Sequence, residues 1–251
     1  MVQRAIDPLT VARAASRLEK EAEVIGVRPR VSFDFEELGR VRDWVRQSQV
    51  TPFFRPEFNA FSPETAFWVS AMDSSGEVIY LHAFRLDIVQ QDFSQWFLNW
   101  MFGLRARVGD RLVLETDQLP TSNRMRALRG RLVYQGELWV SQTAPRKFAS
   151  AVLNLLPRFS MLLAYMHFRP DAIWAIVDHR GATTGGVLRA GNPHVQPDYV
   201  RWKPDAMPSD VESKKGAPRD PSEWLSTVER EELELMISEI LWQTDRGDPT
   251  A

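Results

Sequence analysis

The sequence predicts an α/β protein in which strands and helices alternate along one chain. Three observations carry that prediction. A hairpin pattern spans residues 65–86, a long apolar helix pattern spans 146–168, and an unbroken apolar run follows at 172–177. Apolar residues alternate in the first and recur at helical spacing in the second. The third has the signature of a strand buried on both faces.

A chain of 251 residues suits one large domain, or one domain with appendages, and buries enough surface to need no disulfide or metal staple. The absence of cysteine excludes disulfides, thiolate zinc sites, iron–sulfur clusters and cysteine nucleophiles. A formal net charge of -2 argues against a dedicated nucleic-acid binder, which carries a basic excess. Nine Trp and fourteen Phe imply an aromatic core or a broad apolar pocket. Charged residues interrupt the first twenty positions, so no signal-peptide stretch is expected there. The apolar run 159–168 is too short to cross a bilayer. The expectation is a soluble cytoplasmic protein without membrane insertion or nucleic-acid partner.

Asp7-Pro8 opens a helix, with Leu9, Ala12, Ala15, Leu18, Ala22 and Ile25 as its apolar stripe. That helix, the 1–30 segment, either packs on the domain or binds a partner. Residues 31–33 form a short strand, and Asp34 to Glu37 a capping box for a helix with Leu38, Val41 and Val45 inward. The proline-rich, Phe-rich stretch 51–63 reads as an irregular loop. The turn Asp73-Ser74-Ser75-Gly76 joins the two hairpin strands. A helix over 92–101 follows, then a strand over 111–116 and a break at 120–123. A long strand over 131–140 precedes the helix 146–168, which Pro157 should kink or break. Residues 181–191 hold one short helix, weakened by Gly185-Gly186, and 194–203 the last strand. The polar, proline-rich 204–220 reads as a linker. Asp220-Pro221 then repeats the helix-start signature, so 221–251 reads as a C-terminal helix and tail. Leu233, Met236, Ile237, Ile240 and Leu241 either pack back or bind a partner.

Catalytic motifs are scarce. His82, His167, His179 and His194 show no metal-ligand spacing, so no metal site is expected. Nucleophile-elbow, P-loop and dinucleotide-binding glycine patterns are absent. Asp178-His179 reads as an acid–base pair or, more plainly, as a solvated loop.

The stretch from Arg131 to Lys203 resembles the GNAT superfamily of acyl-CoA-dependent N-acyltransferases. The resemblance rests on Gly136-Glu137-Leu138-Trp139-Val140 before the long helix and Leu155-Leu156-Pro157-Arg158 within it. The run Asp171 to Val177 and the closing Gly191-Asn192-Pro193-His194-Val195-Gln196-Pro197 extend it. It covers 31–203, with its specific motifs in the last third, and implies a mixed central sheet of GNAT-like type with helices on both faces. By resemblance, a splayed strand holds the pantetheine arm of acetyl-CoA or another acyl-CoA as an added strand. That assigns Leu138, Trp139, Val140 and Ser141 to the arm. It assigns Gln142, Arg146, Lys147, Phe148, Ala149 and Ser150 to the pyrophosphate, beside a helix N-terminus. Glu137 is the candidate base, its alternative an outward-facing polar residue on an alternating strand. His194 and Tyr199 are the nearest proton donors. The loop lacks the family's glycines, and Pro145 removes a donor.

The resemblance therefore implies an N-acyltransferase that joins an acyl-CoA to an amine. Two other readings stand beside it: a non-catalytic GNAT-like binding or assembly module, and an acyltransferase fed by acyl-carrier protein. The last expects a basic docking patch from Arg124, Arg126, Arg129 and Arg131. A homodimer is left open.

Overall fold

A computed structural model describes residues 6–109, 113–115, 119–120, 122–203 and 220–245. The Asp7 carboxylate caps α1 (Pro8–Val24) by accepting from the Leu9 N–H at 2.8 Å. Its buried face is Val11, Ala14, Ala15, Leu18 and Ala22. Leu9 and Ala12, expected in that stripe, face outward. The edge strand β1 (Arg28–Ser32) leads into α2 (Phe35–Arg46). Only half of the expected capping box forms there. Asp34 accepts from the Glu37 N–H at 2.9 Å, while the Glu37 carboxylate turns to Arg30 and Ser32. A 3-10 turn at Pro52–Phe54 sits inside the proline-rich loop and buries Phe53 and Phe54.

The strands β2 (Ala66–Met72) and β3 (Val78–Val89) form the expected hairpin. Then come α3 (Phe93–Ala106), α4 (Asn123–Ala127), β4 (Gly130–Val140) and α5 (Arg146–Phe168). Of the strand expected over 111–116, only 113–115 are described, with Leu114 bridging Trp202. The helix α5 continues through Pro157, which is buried. It is long and apolar enough to cross a membrane, yet half of its most apolar stretch is buried within this fold. The chain ends with β5 (Ala172–Asp178), α6 (His179–Thr183), α7 (Gly186–Arg189), β6 (His194–Arg201), β7 (Ser222–Glu229) and α8 (Arg230–Asp245). Gly185, in the left-handed region at φ 73°, divides the single expected helix into α6 and α7.

Among the described residues the strands form one seven-stranded sheet in the order β1-β2-β3-β4-β5-β7-β6. Only β4 and β5 pair in parallel, so the sheet is mixed as expected. On one face α1, α5 and α8 pack against residues such as Val69, Phe84 and Val133. On the other, α2, the 3-10 turn, α3 and α4 cover Trp68, Tyr134 and Trp174. The amphipathic faces of α1 and α8 are thus covered within this chain.

Residues 222–229 correct the sequence reading. They form a strand, not the start of the C-terminal helix, and β7 fills the gap between β5 and β6 with both edges paired. The cap signature is a real local contact of a different kind. Asp220 accepts from the Ser222 N–H at 2.8 Å, an Asx turn that feeds a strand. The helix waits until Arg230. The expected linker at 204–220 lies outside the described residues except for Asp220.

Because β7 is an inner strand, Leu225→Ala should cost about 2–5 kcal/mol of unfolding free energy in urea. Leu235→Ala on the exposed side of α8 should stay within about 0.5 kcal/mol.

Candidate active site

The strands β4 and β5 pair at only three positions, Leu132 with Ala172, Val133 with Ile173 and Tyr134 with Trp174. Beyond Tyr134 they part. The wedge between them opens into a cleft of about 490 Å³. Leu138 and Val140 line it from β4, Ala175, Ile176 and Val177 from β5, and Leu153 from α5. The far edge of β5 remains fully paired with β7, which holds the second wall rigid. The first turn of α5 has no side-chain cap. Its N–H groups carry the positive end of a helix dipole.

A β-bulge shapes the β4 wall. Leu81 pairs with Trp139 and Ala83 with Gly136, so His82 faces both Glu137 and Leu138. Glu137 takes the left-handed region at φ 56°, which costs a non-glycine residue about 1–3 kcal/mol. Two contacts hold it there. Its carboxylate forms a buried ion pair with Arg42 of α2, and it accepts from the Thr51 N–H at 2.9 Å. Gly136 is required beside it, because a Cβ would come within 2.7 Å of the Phe54 ring. Glu137 is therefore not an outward-facing polar residue: it is buried and lines the cleft. It locks the bulge to α2.

The opposite wall near the apex is polar and buried. His82 stands 2.9 Å from the Tyr80 hydroxyl, which meets Ser160 of α5 at 3.1 Å. Gln135 donates through Nε2 to the Asn192 carboxamide oxygen at 2.6 Å. Burial pushes the His82 imidazole down to about 3, against the opposing hydrogen bond with Gln135, and keeps it neutral.

The remaining expected site residues are dispersed. Trp139, Ser141 and Gln142 line a second hollow of about 450 Å³ with Trp44 and Arg46, on the α2 side. The bulge changes the strand's alternation, which turns Trp139 away from the cleft. Arg146, Lys147 and Ser150 are exposed on the first turn of α5, Ala149 is half-buried, and Phe148 packs against the core instead of crowding the loop. His194 and Tyr199 are not among the cleft residues. The edge strand β6 carries both, and β7 and β5 separate it from β4. His194 is paired with Glu232 of α8, and Tyr199 is buried against Phe93 and Phe97 with its hydroxyl pushed well up by burial. Neither supplies a proton in the cleft. Asp178 and His179 do not pair: Asp178 caps α6 and His179 faces Asp220 at 3.4 Å. Of the arginine run, Arg124 is paired with Glu229 and Glu232, while Arg126, Arg129 and Arg131 are exposed, Arg131 donating to the Phe168 carbonyl. The run lies before and at the start of β4, whereas the cleft opens along the strand's second half.

Sequence reasoning missed Arg42, His82, Gln135 and Asn192. The alternation Tyr80, His82, Phe84 put His82 on a buried strand face, and Asn192 sits within the Gly191–Pro197 motif. Nothing in the sequence linked them.

No family model and no curated protein matches this chain. Solved structures with a similar course of chain include FeeM, an N-acyl amino acid synthase from uncultured soil microbes. It is 11% identical over 83% of this chain and 93% of that one, with a TM-score of 0.39. A GNAT-superfamily phosphinothricin acetyltransferase from Sinorhizobium meliloti, solved with acetyl-CoA, is 13% identical over 81% and 88%, with a TM-score of 0.38. The CoA-dependent acyl-homoserine lactone synthase BjaI is 13% identical over 94% and 87%, with a TM-score of 0.35. Likeness this distant says nothing of chemistry, which has to be read from the cleft itself.

His82 makes stability pH-dependent. The unfolded imidazole gains a proton near pH 6.5 and the folded one only near pH 3. Within that window the unfolded state holds the extra proton, so stability falls as pH falls, by about 1.4 kcal/mol per pH unit. Urea unfolding across that range should show a slope smaller in His82→Gln than in the wild type by that amount. Equal slopes in both would contradict a buried neutral imidazole.

Proposed function

We propose that the chain transfers an acyl group from an acyl-CoA to an amine. One observation carries this reading: β4 leaves β5 after Tyr134, and the gap exposes two strand edges with the uncapped start of α5 close behind. An extended arm bearing amides fits such a gap as a guest strand, because it offers the donors and acceptors that the missing strand would have supplied. The unsatisfied N–H groups of α5 suit a pyrophosphate, and Arg146 and Lys147 add charge where the loop lacks glycine. The aliphatic walls from Leu138, Val140 and Ile176 exclude water from the thioester.

In the reaction, the amine nitrogen attacks the thioester carbonyl carbon. A carbon–nitrogen bond forms, the carbon–sulfur bond breaks, and CoA leaves as a thiolate. The proton lost by the amine passes to water at the cleft mouth, and the thiolate recovers one there. This route leaves the cleft's own groups in their contacts: Glu137 paired with Arg42, Asp178 capping α6, Glu223 accepting from the Trp202 indole at 3.0 Å, and His82 Nδ1 beside the Tyr80 hydroxyl.

A second reading, a binding module without catalysis, has one feature in its favour. The loop at 142–150 has no glycine, and Pro145 at the helix cap has no N–H to give. Titration with acetyl-CoA, and again with palmitoyl-CoA, separates the two. The transferase reading expects the melting temperature to climb with ligand, by about 2.7 kcal/mol of stability at a hundredfold excess over Kd. No shift with either thioester at millimolar concentration removes it.

A further inference from the structure

Five polar side chains run through the buried wall of the cleft: Ser160, Tyr80, His82, Gln135 and Asn192. None is more than 4% exposed. A sheet needs no such chain for its stability, and any member left unpaired would cost about 1–3 kcal/mol. The chain also has a direction. Gln135 donates through Nε2 to Asn192 Oδ1 at 2.6 Å. Behind it the Tyr80 hydroxyl lies 2.9 Å from His82 Nδ1 and 3.1 Å from the Ser160 hydroxyl.

The consequence falls at the far end. The oxygen of the Asn192 carboxamide is committed to Gln135, so its Nδ2 hydrogens are what it has left to offer. Asn192, Gln135 and His82 all line the cleft. Gln135 is the first residue of β4 beyond its last pairing with β5. The Asn192 backbone is pinned as well. Its N–H donates to the Val187 carbonyl at 3.1 Å, and Gly191 before it lies so close to α5 that a Cβ would meet Met161 at 2.7 Å.

We infer that Asn192 is the side-chain donor to the thioester carbonyl oxygen, held in that orientation by Gln135 as a positioning residue. This rests on the acyl-transfer reading above. An arm extended along β4 brings its thioester to the apex, where the carbonyl needs a donor and the tetrahedral intermediate, bearing negative charge on that oxygen, needs it more. A fixed neutral donor of this kind is worth about 100- to 1000-fold in turnover.

The test uses acetyl-CoA labelled with 13C at the acetyl carbonyl. In the wild type, bound ligand should show a downfield carbonyl resonance and a lowered carbonyl stretch relative to free ligand, both marks of a polarised C=O. Asn192→Asp keeps the acceptor for Gln135 and removes the donor, so both shifts should vanish while acetyl-CoA still raises the melting temperature. Gln135→Glu offers Asn192 only acceptors, which forces the carboxamide to turn its oxygen to the cleft. It should lose both shifts although Asn192 is intact. Asn192→Ala serves if the aspartate variant fails to fold. Retention of the wild-type shifts in an Asn192 variant that binds acetyl-CoA overturns the donor role and leaves the transferase reading standing. Absence of any melting shift in the wild type itself overturns both.

Discussion

Two neighbouring strands cannot share a full ladder of hydrogen bonds and also hold a guest between them. In this protein β4 and β5 share only Leu132 to Tyr134 with Ala172 to Trp174, and everything proposed for the molecule depends on what keeps them apart beyond that point. Backbone groups that face no partner strand need water or a ligand. An open edge inside a sheet therefore leaves its backbone groups to water or to a guest strand.

Three features maintain the opening. The bulge at Glu137 bends β4 away, and the buried ion pair with Arg42 fastens that bend to α2. Such a pair adds little net stability over an apolar pair, but losing one partner costs about 3–5 kcal/mol, so it defines one geometry sharply. On the β5 side, β7 saturates the outer edge and prevents the strand from drifting inward. Beneath the apex Tyr134, Trp174, Trp100 and Phe53 pack, mostly edge to face, with ring centroids 4.3–5.5 Å apart and form a rigid floor. The aromatic richness of the sequence thus serves mainly as foundation, while the cleft above it has one aliphatic and one polar wall.

Much of this architecture was legible in the sequence, because periodicity reports which face a residue buries. The β2–β3 hairpin, α5 and β5 are local patterns, and each formed close to its expected bounds. The strand β7 was not legible. Its Asp-Pro-Ser start is chemically the same as a helix cap, and only the vacancy between β5 and β6 decides in favour of a strand. The site was read less well than the fold. Glu137 stood on the right strand, yet its engagement depends on Arg42, ninety-five positions away. His194 and Tyr199 followed from order along the chain, which does not reveal that β7 would come between them and β4. The link from Ser160 to Asn192 joins four separate elements, and no sequence window contains it.

The most direct measurement is hydrogen exchange at the backbone amides of β4 and β5, with and without acetyl-CoA. The amides of residues 132–134 should exchange slowly throughout. Those of 135–140 and 175–178 that point into the gap should exchange quickly in the free protein and slow down when the thioester binds. Slow exchange along both strands in the free protein, unchanged by acetyl-CoA, would mean that the strands are closed on each other and that no acyl donor enters between them.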